Sequence, residues 1–265
     1  MKKVFQIIII VFVVFINLTH AQAPSTRIIS SGNLNSNDEI WDLLGHGVAN
    51  FEVDLMYIYG KLFVTPSMPD SANHKVPVFA EAYLFPLYSN LKKNGNSIIS
   101  GDNRESFIIL NFHNEFKKSN KELKSMVGPL KGLITHYNQG VNDGKVRLLV
   151  KDKNLEDDLS KDGFMCLGLV GDKNDIESTH DYFQMPLIEL DFTELTTWNG
   201  VGNIPFPDFM KIKELVNKVH QKGRKLSVIN CPNHKTVWDM LATSKVDFIN
   251  TNDPVNVCNY LNERK

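Results

Sequence analysis

Eight short apolar runs, parted by longer segments, constrain this chain more than any other feature. They fall at 27–31, 50–55, 107–112, 146–150, 164–170, 186–190, 226–230 and 246–250. Phe107-Ile108-Ile109-Leu110-Asn111-Phe112 is apolar almost throughout, as a strand covered on both faces requires. Parallel strands need connections of a dozen or more residues, usually helical. Several of the intervals have that spacing. From Asp208 to His220, the residues Phe209, Ile212, Leu215, Val216 and Val219 form one stripe, opened by Pro207 and closed by Gly223. Phe79–Leu91, Thr236–Leu241 and 254–261 read as further helices. Lys121–Tyr137 reads as mostly helical, interrupted at Gly128-Pro129. Asn37 or Asp38 can cap a helix through Ile40, Leu43 and Leu44. The segments 65–78, 93–106 and 171–185 read as loops. Eight strands in this length fit an α/β fold, a (β/α)8 TIM-type barrel, with a doubly wound open sheet as the alternative.

The second run has a further pattern. Phe51, Val53 and Leu55 point one way along a strand, and Glu52 and Asp54 the other. Tyr59-Gly60-Lys61 then reverses the chain into Leu62-Phe63-Val64, an extra hairpin after the second strand. Two carboxylates on one face repel each other unless a cation, a proton or hydrogen-bond donors lie between them. Glu52 and Asp54 are therefore candidate ligands of a hard cation, Mg²⁺ or Ca²⁺, or else carboxylates tied up by neighbouring loops. Barrels carry their chemistry at the C-terminal strand ends. Here these are Ser30-Ser31, Glu52 and Asp54, Asn111 with His113, Asn230, and Asn252-Asp253.

The N-terminus reads as a secretory signal. Lys2 and Lys3 precede the apolar run Ile7–Ile16, and Thr19 and Ala21 supply small residues for cleavage after Ala21. The expected product is a secreted or periplasmic protein with no stable membrane span and one barrel domain over 24–265. Without Lys2 and Lys3, the 29 basic residues fall to 27 against 30 acidic ones, and no basic stripe suggests nucleic acid. Cys166, Cys231 and Cys258 have no metal-binding spacing. One disulfide with a free thiol, or three reduced cysteines, are both compatible with the sequence.

Glu52-x-Asp54 with its hairpin, Trp198-Asn199-Gly200, His220-x-x-Gly223-Arg224, Pro232 with Trp238, and the ending Val246-Asp247-Phe248-Ile249-Asn250-Thr251-Asn252-Asp253-Pro254 carry a resemblance. Together they resemble the phospholipase C-like phosphodiesterases, in particular exported bacterial glycerophosphodiester phosphodiesterases and phosphatidylinositol-specific phospholipases C. The resemblance implies phosphoric diester hydrolysis in lipid metabolism. It also implies two histidines, one accepting and one donating a proton, and a divalent cation held by acids. The first histidine's place reads Ile29-Ser30-Ser31-Gly32-Asn33, and the second's Val64-Thr65-Pro66-Ser67. The third-strand acid becomes Asn111, a neutral oxygen ligand at best. The resemblance thus implies a pseudoenzyme, or a module binding a phosphorylated polyol or phosphodiester, with a residual metal set of Glu52, Asp54 and Asn111. The alternative is an active hydrolase in which His113, on the face of Asn111, replaces the lost proton carrier. A glycosidase-like use of two carboxylates is disfavoured because Glu52 and Asp54 share one strand. His46 and His220, at helix ends, read as structural.

Overall fold

A computed structural model of the chain describes residues 26–36, 38–69, 76–160 and 163–264. The expected leader 1–21 and the cap candidate Asn37 lie outside the described residues. Eight strands form the barrel: β1 (Arg27–Ser31), β2 (Asn50–Ile58), β3 (Ser106–Phe112), β4 (Val146–Val150), β5 (Leu167–Gly171), β6 (Leu187–Asp191), β7 (Lys225–Ile229) and β8 (Phe248–Thr251). Each pairs in parallel with its sequence neighbours, and β1 bonds both β2 and β8. That second pairing closes the sheet and excludes the open alternative. Arg27 stands opposite Phe248 in the closing register, and the Thr26 hydroxyl donates to the Val246 carbonyl across 220 residues of sequence.

The hairpin arm Lys61–Val64 runs antiparallel to the outer half of β2, from Leu55↔Val64 to Ile58↔Lys61. Its turn has Tyr59 at φ 46° and Gly60 at φ 86°, the left-handed pair of a type I′ turn, with Tyr59 fully exposed. Such a turn matches the right-handed twist of the two strands. It therefore extends β2 to Ile58, beyond the run read to residue 55.

The helices are α1 (Glu39–Gly45), α2 (Phe85–Lys93), α3 (Phe116–Val127), α4 (Glu156–Ser160), α5 (Phe192–Leu195), α6 (Phe206–Gln221), α7 (Lys235–Thr243) and α8 (Pro254–Glu263). A wide turn, Ala80–Leu84, leads into α2. Among the described residues, no helix is long and apolar enough to cross a membrane. Two expectations need correction. Helix α3 stops at Val127 rather than running to Tyr137, because Gly128-Pro129 ends it. His136–Asn138 instead joins Val141–Asn142 and Phe164–Met165 in a small antiparallel sheet. The run 164–170 divides at Cys166 accordingly, its first two residues serving that flap and the rest the barrel. No disulfide joins the three cysteines.

The barrel interior is stratified. Ile29, Phe107, Ile109, Leu149, Val170, Leu187 and Phe248 form an apolar plug separate from the larger core between strands and helices. With a side-chain period of two, the next inward positions toward the C-terminal end are Glu52, Asn111, Lys151, Glu189 and Asn250. A polar layer therefore lies directly above the apolar plug.

Candidate binding site at the barrel mouth

The polar layer is built around one ammonium. Lys151, the residue after β4, places Nζ 2.7 Å from Glu52 Oε1 and 2.5 Å from Glu189 Oε1. The Asn250 amide donates to Glu52 Oε2 at 2.7 Å and lies 3.3 Å from Glu189 Oε2. Asn111 Nδ2 donates to Glu52 Oε1 at 3.1 Å, and the Ser227 hydroxyl reaches Glu189 Oε2 at 3.4 Å. Five of the eight strands, and the residue just after a sixth, contribute to this one layer. Burial pushes the Glu52 carboxyl up, but the Lys151 charge and the Lys151, Asn111 and Asn250 hydrogen bonds outweigh it and hold Glu52 below the ordinary carboxylate range. Burial likewise lowers Lys151, and Glu189 and Glu52 together more than reverse this, so the ammonium is held above its ordinary value.

One step further out sits a second group. His113 Nε2 lies 2.8 Å from Asp54 Oδ1, and both side chains are about one-third exposed to solvent, at 36% and 30%. The Asp54 Oδ2 accepts from Asn33 Nδ2 at 3.1 Å, and the Asp54 amide donates back to Asn33 Oδ1 at 2.8 Å. Asn33 belongs to the loop in which the resemblance expects the first histidine. There it clamps an acid instead of carrying a proton. His113 is held in place by its neighbour, since Asn114 Oδ1 and Nδ2 bridge the Tyr57 amide and carbonyl at 2.7 and 3.0 Å. The segment where the second histidine is expected, Thr65-Pro66-Ser67, closes on itself through the Thr65 hydroxyl and the Ser67 carbonyl at 2.7 Å. Across the mouth, Asn230, in a left-handed conformation at φ 55°, donates to Asp191 Oδ2 at 2.6 Å. That bond and those from Thr193 hold the Asp191 carboxyl below its usual range.

Glu52, Asp54, Asn111 and His113 thus come together as two adjacent sets, Glu52 with Asn111 and Asp54 with His113. As a site for Mg²⁺ or Ca²⁺ the set fits poorly. Both Glu52 oxygens already accept donors, Asn111 turns its NH₂ toward Glu52, and Lys151 provides the positive charge. Among the described residues, no group of three or more His, Cys, Asp or Glu side chains is arranged to hold a metal ion. Lys151, Glu189 and Asn250 were not singled out in the sequence. The signal available was Glu189, a lone acid inside the apolar run Leu187-Ile188-Glu189-Leu190.

Beside the layer, a cavity of about 540 Å³ opens between the ends of β3 and β4. Asn111, His113, Asn114, Lys151 and Asp152 supply its polar wall, and Phe116 and Leu155 part of its apolar one. That volume is within the range of small-ligand sites. Trp198 lies away from it, its indole N–H bonded to the Val201 carbonyl at 2.9 Å.

No protein-family model matches this chain, and no curated protein matches it. Among solved structures it is similar to the glycerophosphodiester phosphodiesterase from Agrobacterium tumefaciens str. C58, at 12% identity over 89% of this chain and 98% of that one, with a TM-score of 0.52. It is also similar to the HPPK-DHPS of Plasmodium falciparum, at 12% identity over 90% of this chain and 48% of that one, with a TM-score of 0.47. The first likeness shows the fold: the chain has the β/α barrel architecture of a glycerophosphodiester phosphodiesterase over nearly the full length of both proteins.

Proposed function

We propose that this is a phosphodiesterase-type barrel that binds a small phosphorylated polyol at its mouth without cleaving it. The observation that carries the reading is the proton inventory. Hydrolysis of a phosphodiester by general acid–base catalysis needs a base for the nucleophile and an acid for the leaving alkoxide. Among the described residues, His113 is the one imidazole beside the mouth acids, and it is already paired with Asp54. Lys151 cannot stand in for a second carrier, because its two carboxylates hold its proton tightly. Amides and carboxylates in the cavity suit polyol hydroxyls, which both donate and accept. A phosphate on such a ligand faces His113 and Lys151, the two groups there able to carry positive charge.

The assay is hydrolysis of bis(p-nitrophenyl) phosphate by the purified protein, with and without Mg²⁺ or Ca²⁺. The expected rate is that of buffer in every case. Turnover that His113→Ala abolishes overturns the proposal and establishes the second reading, a hydrolase working with one imidazole, which the Asp54–His113 pair favours. Binding is tested by calorimetry with inositol 1-phosphate against inositol. Loss of one charge-assisted contact in His113→Ala is expected to weaken the phosphorylated ligand about tenfold. Equal affinities for the two ligands in both proteins reject the phosphate half of the proposal.

A further inference from the structure

The opposite end of the barrel carries a cluster of charge that the mouth does not use. Arg27 opens β1, Lys225 opens β7, Arg147 is the second residue of β4, and Arg104 and Lys145 stand on the adjoining loops. The carboxylates among them are Asp102, Glu105 and Asp247, and each is engaged. Asp102 holds Arg104 through both oxygens, at 2.6 Å to the nearer guanidinium nitrogen. Glu105 takes Arg147 Nε at 2.5 Å and the Tyr182 hydroxyl. Asp247 takes Lys225 Nζ at 3.1 Å, His220 Nε2 at 2.6 Å and the Leu226 amide at 2.9 Å.

Among the described residues, Arg27 and Lys145 have no carboxylate in contact. Arg27 donates to the Glu105 carbonyl at 2.6 Å, and Lys145 to the Asn103 carbonyl at 3.3 Å. Those two carbonyls flank Arg104, so three cations converge on the turn 103–105. The Phe248 ring, 4.6 Å from the Arg27 guanidinium carbon, offsets part of one charge. Burial and then the positive charge of Arg104 depress Arg27 to about 10, against the opposing pull of Asp102, Asp247 and Glu105, and an anion here would offset the repulsion from Arg104. A cavity of about 300 Å³ adjoins the cluster, lined by Arg27, Arg104, Lys145 and Lys225 against Glu105 and Asp247.

We propose that this cavity is a binding site for a small oxyanion of phosphate type, held by Arg27 and Lys145. A guanidinium fork with an ammonium beside it matches tetrahedral oxygens. The cavity has room for the phosphate group and a short ester. The bound group is either free phosphate or the phosphate of a small ester. This site is distinct from the mouth and does not depend on what the mouth does.

The test is calorimetric titration of the purified protein with inorganic phosphate, against chloride at matched ionic strength. Saturable phosphate binding is expected, weakened about tenfold in Lys145→Ala and in Arg27→Met and unchanged in a control variant of an exposed lysine of α6, Lys211→Ala. Arg27 packs on Phe248, so its variant risks the fold. Lys145 makes one exposed hydrogen bond, so its variant keeps the test decisive. A parallel titration with glycerol 3-phosphate separates the sources: equal, Lys145-dependent binding assigns the site to phosphate groups generally, and binding of inorganic phosphate alone assigns it to the free ion. Heats no larger than with chloride, or phosphate binding of undiminished affinity in Lys145→Ala, overturn the proposal.

Discussion

Lys151→Met is expected to destabilise the protein by about 2–3 kcal/mol near neutral pH, somewhat below the loss for breaking a fully buried pair, because the lysine is partly solvated. The substitution keeps the apolar stem and removes the charge, so Glu52 and Glu189 are left facing each other across one vacated point. The pH dependence identifies the cause. In the native protein, Glu52 is depressed, so its contribution is present above the ordinary carboxylate value and is lost as pH falls through the depressed one. Lys151 is raised, so its contribution is full below the ordinary amine value and is lost as pH rises through the raised one. The triad is therefore intact across the whole neutral range. In the variant, one carboxylate relieves the repulsion by taking a proton, so the deficit shrinks as the pH is lowered from about 7 to about 5. Urea melts of both proteins at the two pH values measure this, and a deficit independent of pH contradicts the account. The same variant tests the cation expectation. With the ammonium gone, the two carboxylates can accept Ca²⁺, so a calcium-dependent rise in Tm is expected in Lys151→Met and not in the native protein. A rise of the same size in the native protein would restore Glu52 as a metal ligand.

The larger loss is expected from Arg224→Leu. Arg224 is 1% exposed, and among the described residues it has no carboxylate partner. Its guanidinium instead donates to the carbonyls of Asp175 at 2.5 Å, Ile176 at 3.4 Å, Ser178 at 3.0 Å and His180 at 2.6 Å. One side chain thus ties together a whole turn of backbone after β5, and an apolar replacement takes this donor from the Ile176, Ser178 and His180 carbonyls, while the Asp175 carbonyl keeps the Ser178 amide. A loss of about 3–5 kcal/mol follows from several unsatisfied acceptors. Lysine is expected to recover little of it, since a single ammonium cannot fork across four carbonyls. Equilibrium unfolding gives the magnitude, and faster proteolysis within 172–186 gives the place. A loss under about 1 kcal/mol would mean that water replaces the guanidinium and that the turn does not depend on it.

The architecture was legible because barrel strands buried on both faces are written as apolar runs, and all eight runs became strands within a few residues. The hairpin was legible from Tyr59-Gly60. The site was half legible. Glu52, Asp54, Asn111 and His113 lie at spacings of two on neighbouring strands, and that local rule brings them to one end of the barrel. Glu189 and Asn250 lie on two other strands, and Lys151 just beyond the end of a third. Only closure of the barrel brings them onto Glu52, and no short-range pattern encodes closure. Arg224 was visible within a motif, yet its partners are main-chain carbonyls, which have no identity in a sequence. The helix misread through Tyr137 has the same origin: Tyr137 has its partners in Met165, in a flap strand whose pairing is non-local.

The β1–β8 seam has a consequence for how the molecule comes into being. Its two sides are among the first and last pieces of the barrel to leave the ribosome, and every intermediate before the final strand is an open curl with two unpaired edges. Contacts this distant in sequence form late and slowly. A holdase therefore has a long interval in which to engage the nascent protein. A truncation ending before Phe248 would leave β1 and β7 as bare edges, inviting neighbouring molecules to supply the missing partner.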